Sequence, residues 1–247
     1  MLGFINGDKD VGYYTVAVKV KTILLSLVNA VSAVLLPRLS YYAKQNKRDE
    51  FLILVKKSIL VISMLAIPMS LYFIFEAQDS VCLLASNTYL PSVLGMQILM
   101  PILIISGFSN IVGNQILLPR GQDKYFMCAV TTGAVVDFLL NLFLLPRYGF
   151  IGAAIATLIA EVSQASIQTF FAKDIIIRCI NIKELLKIVI SSIMGTIIVL
   201  VLRHYINYNA FINLVITAIG FACIYVAMLW ILKVEVFLAL KSLYTLK

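Results

Sequence analysis

The sequence predicts an all-α, polytopic transmembrane bundle of about seven spans, and three observations predict it. Hydrophobic residues make up 62% of the chain and charged residues only 13%, against roughly 45–50% and about 25% in a typical soluble domain. Seven apolar stretches are each long enough to cross a hydrocarbon core of about 30 Å, which takes roughly 20 helical residues. Lipid offers no partners for backbone N–H and C=O groups, so such long runs must be helices, because a barrel would need short alternating strands.

The spans run over 22–39, 58–75, 94–118, 126–145, 151–172, 185–202 and 211–232. Only Pro146-Arg147-Tyr148-Gly149-Phe150 separates the fourth from the fifth, so these two are antiparallel neighbours. Pro68 and Pro101 fall inside spans and should kink them, since proline removes a backbone donor. Gly152, Ala156 and Ala160 recur at four-residue steps in the fifth span, a small-residue face on which a neighbouring helix, the third or fourth, can approach closely. The segment 173–187 alternates isoleucines with charged residues and reads as a short amphipathic helix in the membrane interface. Asn181 with Glu184 three residues on is a capping pattern for the next helix.

Orientation follows from lysine and arginine, which accumulate on the cytoplasmic side. With the loop after the first span inside, Arg38, Lys44, Lys47, Arg48, Lys56, Lys57, Arg120, Lys124, Lys173, Arg178, Lys183, Lys187, Lys233, Lys241 and Lys247 are inside, and Lys9, Lys19, Lys21, Arg147 and Arg203 outside. This places the C-terminus in the cytoplasm and the N-terminus outward. It also explains the net charge of +8 without nucleic acid as a partner. An outward N-terminus carrying three lysines and no preceding span suggests that Met1 is an internal start or the cut end of a longer protein. Three units result: an outward N-terminal segment 1–21 comprising a helix end and a loop, a five-helix part of a transport lobe at 22–172, and an interfacial segment with two further spans and a cytoplasmic tail at 173–247.

Four separated cysteines and one histidine, His204, offer no metal-ligand spacing, so neither metal nor other cofactor is expected. The first ten residues lack a basic region followed by an apolar one, so no cleavable signal peptide is read.

Charged groups at mid-bilayer cost roughly 2.5–3.5 kcal/mol each on insertion scales, and normally face protein or water. Asp137 sits mid-way along the fourth span, with Gly133 and Asn141 four residues to either side on one helical face. Glu161 occupies the middle of the fifth, followed by Gln164 and Gln168, and the third contributes Asn110, Asn114 and Gln115. Two readings stand side by side. These faces line a hydrophilic path, with Asp137 and Glu161 as ion-coupling groups for protons or sodium; or they are interhelical hydrogen bonds, worth about 0.6 kcal/mol on average. For the isolated Asn29 and Thr196 the second reading is favoured.

Met1-Leu2-Gly3-Phe4, Asp10-Val11-Gly12-Tyr13-Tyr14-Thr15-Val16-Ala17 and Lys19 resemble the segment after the seventh helix of O-antigen and related polysaccharide flippases. Ala33-Val34-Leu35-Leu36-Pro37-Arg38-Leu39-Ser40, then Gly113-Asn114-Gln115-Ile116-Leu117-Leu118-Pro119, then the stretch from Leu144 to Ala154 with Glu161 continue the pattern in order. The superfamily also holds multidrug and toxin extrusion (MATE) transporters and the lipid II flippase. The resemblance implies fourteen helices in two pseudo-symmetric lobes plus two extra helices, with this chain supplying the eighth to fourteenth. Relatives usually carry an amide where this chain has Asp137. The implied function is transfer of an undecaprenyl-pyrophosphate-linked oligosaccharide across the bacterial inner membrane. The implied partners are the bilayer, the lipid-linked oligosaccharide, and a missing N-terminal lobe or second copy. Drug or metabolite efflux and an inactive membrane fragment are the alternatives. An enzyme is disfavoured, because the longest outer loop, 76–93, holds neither histidine nor arginine.

Overall fold

A computed structural model describes residues 1–205 and 208–237, and among these every regular element is helical. Lys241, Lys247 and the cytoplasmic tail of the sequence reading lie outside the described residues. After a short α1 (Leu2–Asn6), α2 runs unbroken over Asp8–Lys44 and α3 over Arg48–Phe75. The third span is a relay of α5 (Ser92–Leu99) and α6 (Ile102–Asn110), after α4 (Ala77–Ala85), and ends in a π-helical turn over Ile111–Leu117. Next come α7 (Asp123–Phe171), α8 (Lys173–Cys179), α9 (Ile182–Tyr205) and α10 (Ala210–Ile231).

Among the described residues, six helical segments are long and apolar enough to cross a membrane, and the 49-residue α7 accounts for two crossings. Gly149 interrupts it with φ 54 and ψ −136. In a straight rod Gly133 and Gln164 would stand roughly 46 Å apart at 1.5 Å per residue. Instead a Cβ on Gly133 would lie 3.2 Å from that of Gln164 and 3.4 Å from the Ala160 carbonyl. The two arms, 123–148 and 150–171, are therefore an antiparallel hairpin, as the short turn predicted. Its close approach depends on small residues. Ala156 and Ala160 are buried, and Gly152 sits so near the Leu144 carbonyl that a Cβ there would be 2.6 Å from the oxygen.

Two regions differ from the sequence reading. The sequence assigns 1–21 a helix end and a loop, whereas α1 is followed after Gly7 directly by α2, which takes in residues 8–21; Asp8 and Asp10 occupy its first turn, where carboxylates favour the positive end of the helix dipole, and no proline interrupts the chain before Pro37. The stretch 76–93 is not an open loop, for it holds α4 and a 3₁₀ turn at Asn87–Tyr89. Here the Arg203 guanidinium donates to the Phe75 carbonyl at 2.6 Å and Asn213 to the Asp79 carboxylate at 3.3 Å, fastening α4 to the last two spans.

The core lies along α3 and the third span. Leu39, Val55, Ile59, Val112 and Ile116 belong to one buried cluster, which extends to Ile175, Ile176 and Cys179 on α8. A second gathers Ala17 and Val20 of α2 with Met96, Leu99 and Leu103. Large side chains such as Phe138 and Phe143 stay exposed, which would cost heavily in water and costs nothing against acyl chains. The third span breaks at Pro101, as predicted, and the Ser70 hydroxyl donates to the Met100 carbonyl at 3.0 Å, satisfying a group beside the break. α8 is amphipathic, burying Ile175, Ile176 and Cys179 while Lys173, Asp174 and Arg178 face outward, and the Glu184 N–H reaches the Asn181 side chain at 3.4 Å.

Candidate functional site

The α7 hairpin brings Asp137 and Glu161 to one place. A cavity of about 240 Å³ opens between the arms, lined by Gly133 and Asp137 from the first and by Thr157, Glu161 and Gln164 from the second. Gly133, lacking a side chain, lets Gln164 close against the first arm. The Asn141 amide donates to the Asp137 backbone carbonyl at 2.8 Å, while the Oδ1 atom of Asp137 is buried without a hydrogen-bond partner. A carboxylate oxygen left so in a low-dielectric site demands a proton, a cation or water.

The neighbouring helix α2 supplies groups that the sequence reading did not assign. The hydroxyls of Tyr14 and Thr157 share a hydrogen bond at 3.0 Å. One face further along, Lys21 is half-buried and interacts electrostatically with both Glu161 and Asp137. Ser106 of α6 lies beside the Glu161 carboxyl. The site is thus a mixed-charge cluster, one cation facing two carboxylates, and its cation is the Lys21 that the sequence places outside the first span. Lys21 was hidden because the first span was begun at Thr22. Its i, i+7 spacing from Tyr14 was the signal that could have found it, since such residues share a helix face.

The other predicted polar residues are elsewhere. Gln115 donates to the hydroxyl and, at 3.1 Å, to the carbonyl of Ser32. Ser32 donates to Asn110 at 2.8 Å, and Asn110 to Asn29 at 2.9 Å. Asn114 donates to Asn110 at 3.2 Å. These residues knit α2 to the π-helical end of the third span. Gln168 is buried and accepts from Ser109 at 2.7 Å. Asn110, Asn114, Gln115 and Gln168 therefore hold helices together, whereas Asp137, Glu161 and Gln164 face the cavity. Asn141 touches Asp137 at its backbone carbonyl and also interacts with its carboxyl group, as Thr157 does.

The hairpin, the relay in the third span and the two appended spans together make a helical bundle of MATE-like flippase fold. The chain superposes on the lipid II flippase MurJ in an inward closed conformation with a TM-score of 0.76 at 18% identity, covering 89% of this chain and 46% of MurJ. Residues 1–94 match a family model described as polysaccharide biosynthesis protein. The chain is 28% identical over 174 residues to a putative O-antigen transporter of Escherichia coli K12, covering 70% of this chain and 42% of the transporter. It is also 26% identical over 170 residues to the probable flippase AglR of Haloferax volcanii, covering 65% and 34%. In sequence and in fold the chain is thus similar to polysaccharide and lipid-linked flippases. The chain spans less than half the length of each of these relatives.

Proposed function

We propose that this chain forms the C-terminal lobe of a flippase that moves an undecaprenyl-pyrophosphate-linked oligosaccharide from the inner to the outer leaflet of the bacterial cytoplasmic membrane during polysaccharide biosynthesis. The observation that carries this reading is the cavity within the α7 hairpin that Asp137 and Glu161 line, with Lys21 of α2 as their cationic neighbour. Interhelical adhesion alone does not call for two carboxylates and a lysine inside a bilayer. The transporter relatives support transfer across the membrane as the whole activity, with no bond made or broken.

A second lobe completes the path, supplied by the missing N-terminal half or a second copy. Thr15, Lys19, Thr22 and Ser26 are exposed on α2 at three- and four-residue steps, one hydrophilic stripe on a membrane helix. Such a stripe against acyl chains is unfavourable, and a water-filled space between two lobes is its natural setting. The oligosaccharide travels in that space while its prenyl tail stays in lipid. Asp137 and Glu161 are the ion-coupling groups, taking up a proton or sodium ion as Lys21 exchanges between them and the anionic substrate. The excess of positive charge along one face orients the C-terminus to the cytoplasm.

Deletion of the intact gene from its host, with surface glycan and dye resistance measured together, tests this. The reading predicts loss of surface glycan with dye resistance unchanged. Retained glycan with lost dye resistance assigns the protein to efflux instead.

A further inference from the structure

A second polar recess lies far along the chain from the α7 cavity, at the basic face where α2, α3, the third span and α8 end. It measures about 520 Å³ and is lined by Tyr42 from the last turn of α2, Asn46 from the turn after it, Arg48 from the first turn of α3, Arg120 after the third span, and Asp174 of α8, over an apolar floor that includes Phe51. Four elements contribute to it, and their meeting is fixed by the core cluster that buries Phe51, Val55, Leu117 and Ile175 just beneath.

The charges in this recess are unequal. Arg120 touches Asp174 through one nitrogen at 3.2 Å, although a guanidinium carries five N–H donors in a fork that suits oxyanions. Arg48 forms no ion pair within 4 Å among the described residues. Two arginines, a phenol and an amide thus converge on a space that contains a single carboxylate. That carboxylate belongs to an exposed ion pair, the kind that contributes little. A phosphate group, with more charge and three or more acceptor oxygens, is the better partner for both arginines at once.

We propose that this recess binds a phosphate group, carried by an anionic lipid headgroup or free in solution, with Arg48 and Arg120 as its ligands and Asp174 as the internal anion it displaces. Phosphate capture exchanges this exposed pair for a phosphate held by both arginines, while α8 stays seated on its buried Ile175, Ile176 and Cys179. This site is separate from the transport cavity, so it stands or falls independently of the flipping reading.

The test uses the full chain purified in a neutral detergent, with native mass spectrometry counting bound phosphatidylglycerol and calorimetry following inorganic diphosphate. Replacing both arginines (R48A/R120A) should weaken binding about tenfold or more, the factor that one lost charge-assisted hydrogen bond carries. D174N should instead strengthen it several-fold, a direction that misfolding cannot produce. Binding of phosphatidylglycerol alone identifies a headgroup site, and binding of diphosphate alone a site for a soluble phosphate. Binding of neither, or binding that R48A/R120A and D174N leave unchanged, overturns the proposal.

Discussion

Gly149 shows how far one residue can decide the architecture. Its φ of 54 lies where an L side chain is strained, and a Cβ there would meet the Asp10 carboxylate, which accepts the Phe150 N–H at 3.1 Å and so caps the second arm of α7. Gly149→Ala should cost about 1–3 kcal/mol, read as a lowered midpoint in thermal unfolding of the detergent-solubilised chain. Asp10→Ala should cost about 0.5–2 kcal/mol as a lost cap, and Asp10→Asn, which keeps an acceptor, much less. An unchanged midpoint for G149A would mean the hairpin does not need this turn. At the cavity, Lys21→Ala leaves two carboxylates without their cation and should destabilise by about 1–3 kcal/mol. Adding Glu161→Gln to that variant should recover part of the loss, whereas additive losses would show that the lysine and the carboxylate do not interact. On α8, burial pushes the Cys179 thiol up to about 11, against a smaller opposing influence of Lys56. Folding therefore favours the neutral thiol. That contribution to stability is complete below the ordinary value of 9.0 and is lost as pH rises toward 11. Alkylation of Cys179 should accelerate over the same interval, and rapid reaction at neutral pH would contradict its burial.

At the scale of the helix, legibility in the sequence depended on what kind of pattern carried the information. Apolar runs of span length are set by the bilayer, so all seven crossings could be read, including the pair that meets at Gly149. The amphipathic character of α8 and its apolar face were legible for the same reason. The start of α2 was not, because residues 8–21 mix lysines, tyrosines and glycine with no apolar run, and only their packing against α5 and the hairpin makes them helix. The Tyr13 ring meets Tyr89 edge-on and Phe150 at a tilt, with centroids 5.9 and 5.5 Å away. Polar residues inside spans were legible as a set but not individually. Asp137 and Asn110 look alike in sequence, and only the partner helix decides which meets a cavity and which meets Ser32. The difference is measurable. Ser32→Ala removes the hinge of the chain from Gln115 to Asn29 and should cost about 0.6–2 kcal/mol in unfolding while leaving transport by the assembled protein unchanged. A transport defect in S32A at unaltered stability would move this cluster from adhesion into the conduit.

Across the whole molecule, the arrangement suits the proposed role of one lobe facing another. The core runs along α3 and the third span, the last two spans dock through Arg203 and Asn213 at one end and are tied to each other at the other, where the Glu235 N–H donates to the Glu184 carboxylate at 2.9 Å, and the charged cavity sits within the hairpin beside α2. Its two carboxylates are tolerable in a membrane only if water or a polar cargo reaches them. A nitroxide at Gln164, on the cavity wall, compared with one at the exposed Phe138, measures this in lipid nanodiscs through collision with a water-soluble nickel reagent and with oxygen. The account predicts nickel-dominated relaxation at 164 and oxygen-dominated relaxation at 138. Oxygen dominating at both positions would place the cavity in acyl chains and contradict a hydrophilic conduit.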